Sequence, residues 1–490
     1  MTPEQELRYR HTEFETRRHF LKQCTTGLGM MALGTLFGSC GSDKPTDEQV
    51  KATLADGKTH FRPRAKSVIF IHLCGSPSQL ELYDYKPELE KLDGKPCPPS
   101  FLEGKKFAFI RGVPDMLASV GKFNQHGQSG AWLSDYWQHL PQVADEISFM
   151  RAMYTDQFNH APAQLLMHTG SARLGRPSLG SWATYGLGSE NANLPGFMVL
   201  TSGGNTPDAG KSIWGSGFLP SVFQGVQCRS EGDPVLFLSD PKGVDRSLRQ
   251  KAINALSEVN RQQYEEFRDP ETLARIAQYE MAFKMQISVP EVMDISKEPA
   301  YIHDLYGAQV GKASFANNCL LARKLVEQGV RFVQLYDWGW DTHGDSKGNS
   351  LEHGLRDKVG QIDRPITALL MDLKQRGLLD ETLIVWGTEF GRTPMRENRQ
   401  GQKMPFKGRD HHTDAFTCWM AGGGVRRGFS MGESDEFGYF GLKDRTHIHD
   451  LQATILHLLG YDHEQFTYEF QGRNFRLTDV AGKVVKNVIA

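Results

Sequence analysis

Residues Val330 to Asp345 read VRFVQLYDWGWDTHGD. A helix-patterned run, Ser314 to Gln328, ends at Gly329 and gives way directly to an apolar run, Val330 to Tyr336, after which the chain presents Asp341 and His343. A helix feeding a buried strand that ends in polar residues is the unit of a parallel α/β sheet, whose functional crevice lies outside the carboxyl ends of the strands. On extended backbone, residues two apart project from one face. The Asp341 carboxylate and the His343 imidazole can therefore reach one metal ion.

Working outward, the same grammar recurs. Val68 to Leu73 (VIFIHL) is a continuous β-branched run and predicts the first central strand, followed by the loop Cys74-Gly75-Ser76-Pro77-Ser78. Ile147 to Met153 predicts a strand leading to Asn159 and His160, where a helix pattern starts. A helix N-terminus gathers free N–H groups and favours an anion, so Asn159 or His160 can face one, or Asn159 simply caps the helix. Thr382 to Gly387 predicts another buried strand, followed by Glu389 and Arg392, and Asp410, His411 and His412 precede a strand candidate, Ala415 to Met420. Strands separated by helices predict a doubly wound, mostly parallel α/β sheet. Residues 245 to 292, with charged and apolar residues at helical spacing, predict a helical insertion.

Asp341, His343, Glu389, Asp410, His411 and His412 form a mixed oxygen and nitrogen donor set, which suits zinc or manganese better than magnesium. Neighbours on extended backbone point to opposite sides, so His411 and His412 are not both expected to be ligands. Arg392 is expected to neutralise a phosphoryl or sulfuryl group. The rival motif is Gly428-Phe429-Ser430-Met431-Gly432, a nucleophile-elbow pattern with Asp435 or Asp444 and His447 or His449 downstream, although the preceding AGGGVRR breaks the strand such an elbow needs.

Composition bounds the rest. The chain has 490 residues, 39% of them hydrophobic, and a formal net charge of -2, which gives no electrostatic case for nucleic acid. Arg17 and Arg18 precede an uncharged, glycine-rich stretch, Gln23 to Ser42, that matches a twin-arginine export leader. Phe37-Gly38-Ser39-Cys40 resembles a lipoprotein cleavage site, so a lipid anchor at Cys40 and plain cleavage both stand. Residues 43 to 66 read as a polar linker, and residues 67 to 490 as one α/β domain. The expected setting is exported, periplasmic or lipid-anchored, with the twin-arginine machinery as a transient partner.

Beyond these patterns the chain resembles the DUF1501 family, twin-arginine-exported sulfatase-like proteins of the alkaline phosphatase-like superfamily. The resemblance rests on SPSQLELYDYKPEL, NHAPAQLLMHTG with PSLGSW, WGWDTHGD, WGTEFGRTP, GRDHH, IHDLQATILHLLGYDH and GRNFRLTDVAGKVV. It implies a bimetal-type site with Asp341 and His343 on one metal, Glu389 at a position where the superfamily has an Asp-His pair, and His412 as a later metal histidine. It also exposes departures. Cys74 stands where an aspartate ends the first strand, and Ala161 follows Asn159-His160 where a nucleophile is expected. Gln79 and Glu81 occupy a segment that related sequences more often write Ser-His-x-Asp, and no C-x-P-x-R or S-x-P-x-R signal occurs. The expectation is a metal-dependent hydrolase of sulfate or phosphate esters, with a small anionic ester or sulfated glycan as substrate, zinc or manganese as cofactor, and calcium or no metal as the alternatives. A route through His160 as nucleophile, a catalytically silent glycan-binding module and a Ser430 hydrolase are the competing readings.

Overall fold

Nine strands form the central sheet of the computed structural model, which describes residues 58–229, 246–267, 270–399 and 401–490. The leader with Arg17, Arg18 and Cys40, and the linker up to residue 57, lie outside the described residues. The strands are β1 (Ser67–Cys74), β2 (Ile147–Tyr154), β3 (Phe197–Ser202), β4 (Val226–Cys228), β5 (Phe332–Trp338), β6 (Thr382–Gly387), β7 (Phe416–Ala421), β8 (Phe429–Met431) and β9 (Thr446–His447). Their order is β8-β2-β7-β6-β1-β5-β3-β4, with β9 also beside β2. Every pairing is parallel except those of β7, which runs against both β2 and β6.

Seven of the helices matter here: α1 (His160–Thr169), α2 (Leu179–Leu187), α3 (Arg246–Phe267), α4 (Pro270–Met293), α5 (Phe315–Glu327), α6 (Arg356–Gln375) and α7 (Ile448–Leu458). Side chains alternate across β1, and the core divides accordingly. Ile69, Ile71 and Leu73 pack with apolar residues of α5 and α6, whereas Val68 and Phe70 pack with those of α1, α2 and α7. All eight residues of β1 are buried, which is why its sequence is apolar nearly throughout rather than alternating. The helices α3 and α4 occupy the stretch expected to be a helical insertion.

The register aligns the functional edge. Cys74 of β1 lies opposite Trp338 of β5, and His72 lies opposite Gly387 of β6, so the loops that leave these strands start at one level. Gly75 has φ +110°, and a Cβ there would lie 2.6 Å from the Asp341 nitrogen. Only glycine lets the two loops meet this closely.

The antiparallel β7 is the departure from the sequence-based expectation of successive strand ends. In a parallel strand, residues that precede the strand lie at the opposite edge of the sheet. Because β7 is reversed and Phe416 pairs with Met153 near the end of β2, Asp410 to His412 reach the functional edge from the amino end of β7.

Candidate active site: three imidazoles around one carboxylate

Three imidazoles approach Oδ1 of Asp341. His343 Nε2 lies 2.8 Å away, His411 Nε2 3.2 Å and His160 Nε2 3.3 Å. Each ring is held by its other nitrogen. His160 Nδ1 bonds Glu389 Oε1 at 2.8 Å, His411 Nδ1 bonds the Phe158 carbonyl at 2.7 Å, and His343 Nδ1 bonds Glu397 Oε2. An imidazole whose Nδ1–H is donated to an acceptor keeps its lone pair on Nε2, the arrangement of a metal-ligating histidine with its orienting partner. The Nε2 atoms of His160 and His343 are buried and make no hydrogen bond.

The local structure explains the convergence. Arg392 and His411 are direct partners in a two-residue antiparallel ribbon, as are Gly391 and His412. Cross-strand partners share a face, so His411 and Arg392 both turn toward Asp341 while His412 turns away. His160 opens α1, and Gln164 lies one turn further along the same face. Gln164 donates from Nε2 to Glu389 Oε1 at 3.2 Å, bracing the carboxylate that braces His160.

The electrostatics follow the contacts. Burial disfavours ionisation of Asp341, yet the Arg392 guanidinium and the surrounding imidazoles hold its carboxyl far below the ordinary range. Burial also works against protonation of His160, but the carboxylates of Asp341 and Glu389 outweigh it and hold the ring up to about 9. His343 is raised in the same way, burial being outweighed by Asp341 and Glu397. His411 is pushed down, with burial dominating. Glu389, despite complete burial, is kept well below its usual value by His160 and His72.

Several expected ligands have other duties. Glu389 is fully buried behind His160, where Oε1 also accepts from Gly75 N at 2.9 Å and Oε2 contacts Thr388 Oγ1 and His72 Nε2, each at 3.2 Å. Its carboxylate is engaged with His160, Gly75, Gln164, Thr388 and His72 rather than with Asp341. His412 bonds the Tyr439 carbonyl and stacks on that ring at 4.6 Å, so it is not at the centre. Asp410 ties down main chain, accepting from Phe109, Ile110 and His411 N–H groups at 2.7, 2.9 and 2.8 Å. It nevertheless forms, with His343 and Glu397, a second buried group whose ligand atoms lie within 4.8 Å of one another, beside the group His160, Asp341 and His411. Arg392 is buried and donates to the carbonyls of Ser76, Gly75 and Arg409 and to Asp341. Asn159 is exposed at the N-cap and makes no side-chain capping bond.

Glu397, His72, Gln164 and Asp208 escaped sequence reasoning. Glu397 sits in an unpatterned polar loop and His72 mid-strand, and neither position signals chemistry. Cys74 lines a cavity of about 310 Å³ with His160, Asp208 and Asp341. Burial, reinforced by Glu389, raises its thiol well above the usual value, so it is no thiolate nucleophile. The Ser430 triad does not assemble. Ser430 pairs with Phe149 and His447 with Tyr154 along the same strand β2, five residues apart, which separates them by roughly 16 Å. Asp435 is occupied with the N–H groups of Phe437, Tyr439 and Phe440.

These features define an α/β protein with a histidine-rich polar centre at the functional edge of its sheet. A family model described as "Protein of unknown function (DUF1501)" matches residues 65–489, and the chain belongs to that family. No curated protein matches it in sequence. Solved structures with a similar fold include a sulfatase from Pseudoalteromonas sp. (13% identity, TM-score 0.36, 86% of this chain and 73% of that one). Others are a protein in the alkaline phosphatase superfamily from Vibrio parahaemolyticus (10%, 0.35, 82% and 68%) and a phosphonate monoester hydrolase from Silicibacter pomeroyi (12%, 0.29, 81% and 73%).

Proposed function

We propose that the chain is an exported, divalent-metal-dependent hydrolase of sulfate or phosphate esters, with His160, Asp341, His343 and His411 as the metal-holding set. The observation that carries the reading is the common aim of three Nε2 atoms, each imidazole anchored through Nδ1, at one carboxylate oxygen. The residues fit the group: two of the Nε2 atoms are buried without a hydrogen bond, and three nitrogens with one oxygen suit zinc, or manganese, better than calcium, which prefers oxygen ligands. When bound, such an ion would neutralise the anionic group of an ester and acidify water. Export is supported by the twin-arginine pattern at Arg17 and Arg18.

The chain's own residues then divide the work. Glu389 and Glu397 hold His160 and His343 in the tautomer that presents Nε2, and Arg392 fixes Asp341. Among the described residues no Lys or Arg lines the cavity, so an anionic ester depends on the ion for its positive charge. His160 acts as a ligand in this reading rather than as a nucleophile, because its free nitrogen points at the shared centre.

Turnover of aryl sulfate and aryl phosphate monoesters, measured before and after chelation and after zinc or manganese is restored, tests this. Activity lost and regained with metal is expected. Turnover indifferent to chelator, or absent from fully loaded protein, contradicts it. Ser430→Ala is expected to leave the activity unchanged, and labelling of the wild type by a fluorophosphonate would revive the serine alternative.

The pKa shifts give a pH dependence. In metal-free protein His160 is raised from 6.5 to about 9. The folded state therefore binds that proton more tightly than the unfolded chain, and the resulting stability is complete below about pH 6.5 and is lost as pH rises toward about 9. Metal must displace the same proton, so zinc affinity should increase with pH across this window. Thermal melts with and without zinc from pH 6 to 9 check both signs. A flat difference between the two sets of melts would contradict them.

A further inference from the structure

The cavity holds a second carboxylate that the metal-holding set does not use. Asp208 is exposed and shares the cavity with His160 and Asp341, yet it belongs to neither metal-competent group found among the described residues. Its placement is fixed from within the core. Gln164, fully buried on α1, donates from Nε2 to Asp208 Oδ2 at 3.2 Å and to Glu389 Oε1 at 3.2 Å, and its Oε1 accepts from Ala209 N at 3.0 Å. One amide thus ties the Asp208 loop to the carboxylate that orients His160. Both N–H groups of the amide are used, and the carboxylate is held at the cavity wall with acceptor capacity to spare.

The charge pattern says what that capacity is for. With no Lys or Arg in the lining among the described residues, a second anion could only repel a sulfate or phosphate group. That group belongs on the Asp341 side, where an ion would compensate it. The alcohol part of the ester must then lie over the remaining wall, to which Asp208, the half-buried Trp338 and the positions Gly339, Gly348 and Asn349 contribute. A carboxylate accepts hydrogen bonds from hydroxyl groups, and an indole offers a flat apolar face. A ring with hydroxyls at its edge and C–H groups on its face satisfies both.

We infer that Asp208 is a specificity-determining residue that accepts a hydrogen bond from a hydroxyl of the substrate's alcohol part, so that the site takes sulfate or phosphate esters of sugars in preference to esters without hydroxyls. The inference rests on the hydrolytic reading above and narrows its substrate class.

The test compares metal-loaded wild type with Asp208→Asn, full chain in both cases, on 4-nitrophenyl sulfate and phosphate and on the 6-sulfates and 6-phosphates of glucose and galactose. Asp208→Asn should lower the ratio of kcat/KM for sugar ester to kcat/KM for aryl ester by about tenfold or more, chiefly through KM, which is the worth of one hydrogen bond to a charged acceptor. Its metal content should match the wild type, which a merely structural loss would not preserve. An unchanged ratio, an equal loss on both ester classes, or a wild type that prefers the aryl esters overturns the inference. If neither protein turns over any ester, the hydrolytic reading has failed, and calorimetric binding of the sugar esters to the loaded proteins decides Asp208 by itself. Weaker binding to Asp208→Asn supports the assignment, and equal binding or none overturns it.

Discussion

Asp341→Ala protein is expected to fold, to purify without stoichiometric divalent metal, and to lose ester turnover by about a thousandfold or more, equivalent to at least roughly 4 kcal/mol of transition-state stabilisation. Oδ1 of Asp341 is the point shared by His160, His343, His411 and Arg392. Removing it leaves three imidazoles and a guanidinium facing one another with no anion among them. The fold should survive because the Asp341 side chain is 38% exposed and water can enter its place. Metal analysis, circular dichroism and turnover on one preparation check all three statements. Full metal occupancy in Asp341→Ala would contradict the assignment of the centre.

The second large effect is on stability. Glu81→Ala is expected to destabilise the folded protein by about 3–5 kcal/mol, the range for stranding one member of a buried ion pair. Arg409 and Glu81 are both fully buried, with Arg409 Nη2 2.7 Å from Glu81 Oε1 and Arg409 Nε 3.1 Å from both oxygens. The same guanidinium donates to the carbonyls of Leu117, Thr393 and Ala118. It thereby anchors the segment that presents His411, and loss of Glu81 should weaken metal binding as well. Urea unfolding of wild type and Glu81→Ala measures the first effect and zinc affinity the second. A stability change below about 1 kcal/mol would show that the pair is compensated elsewhere.

This pair also shows what the sequence does and does not disclose. The segment Ser78-Gln79-Leu80-Glu81 departs from the Ser-His-x-Asp pattern of related sequences. In the structure Gln79 exchanges two hydrogen bonds with the main chain of Arg392, each 2.9 Å, and Glu81 neutralises Arg409. Their work is to hold the loops that carry the site. No local pattern announces a charge that is buried only because a partner more than 300 positions away meets it.

The strands were legible because a run buried on both faces, such as β1 or β6, must be apolar along its length. Asp341 and His343 were legible because their spacing puts them on one face beyond such a run. The direction of β7 was not legible, since a short apolar strand reads alike in either orientation, and with it went the reason Asp410 to His412 reach the site. Glu389 and Arg392 lie at the expected edge, but the contacts their side chains make were not legible, because nearness to a strand end does not tell whether a side chain faces the cleft or the core. Of His411 and His412 only one was expected at the centre, and the resemblance pointed to His412, which instead packs on Tyr439. Selecting His411 required the ribbon register with Arg392, a tertiary fact.

X-ray absorption at the zinc edge of the zinc-loaded protein would show whether three imidazoles close on one cation. The expected result is a shell of nitrogen and oxygen donors at about 2.0–2.1 Å with the multiple scattering of about three imidazole rings and no sulfur. A shell without imidazole scattering, or a protein that takes up no zinc, would contradict it.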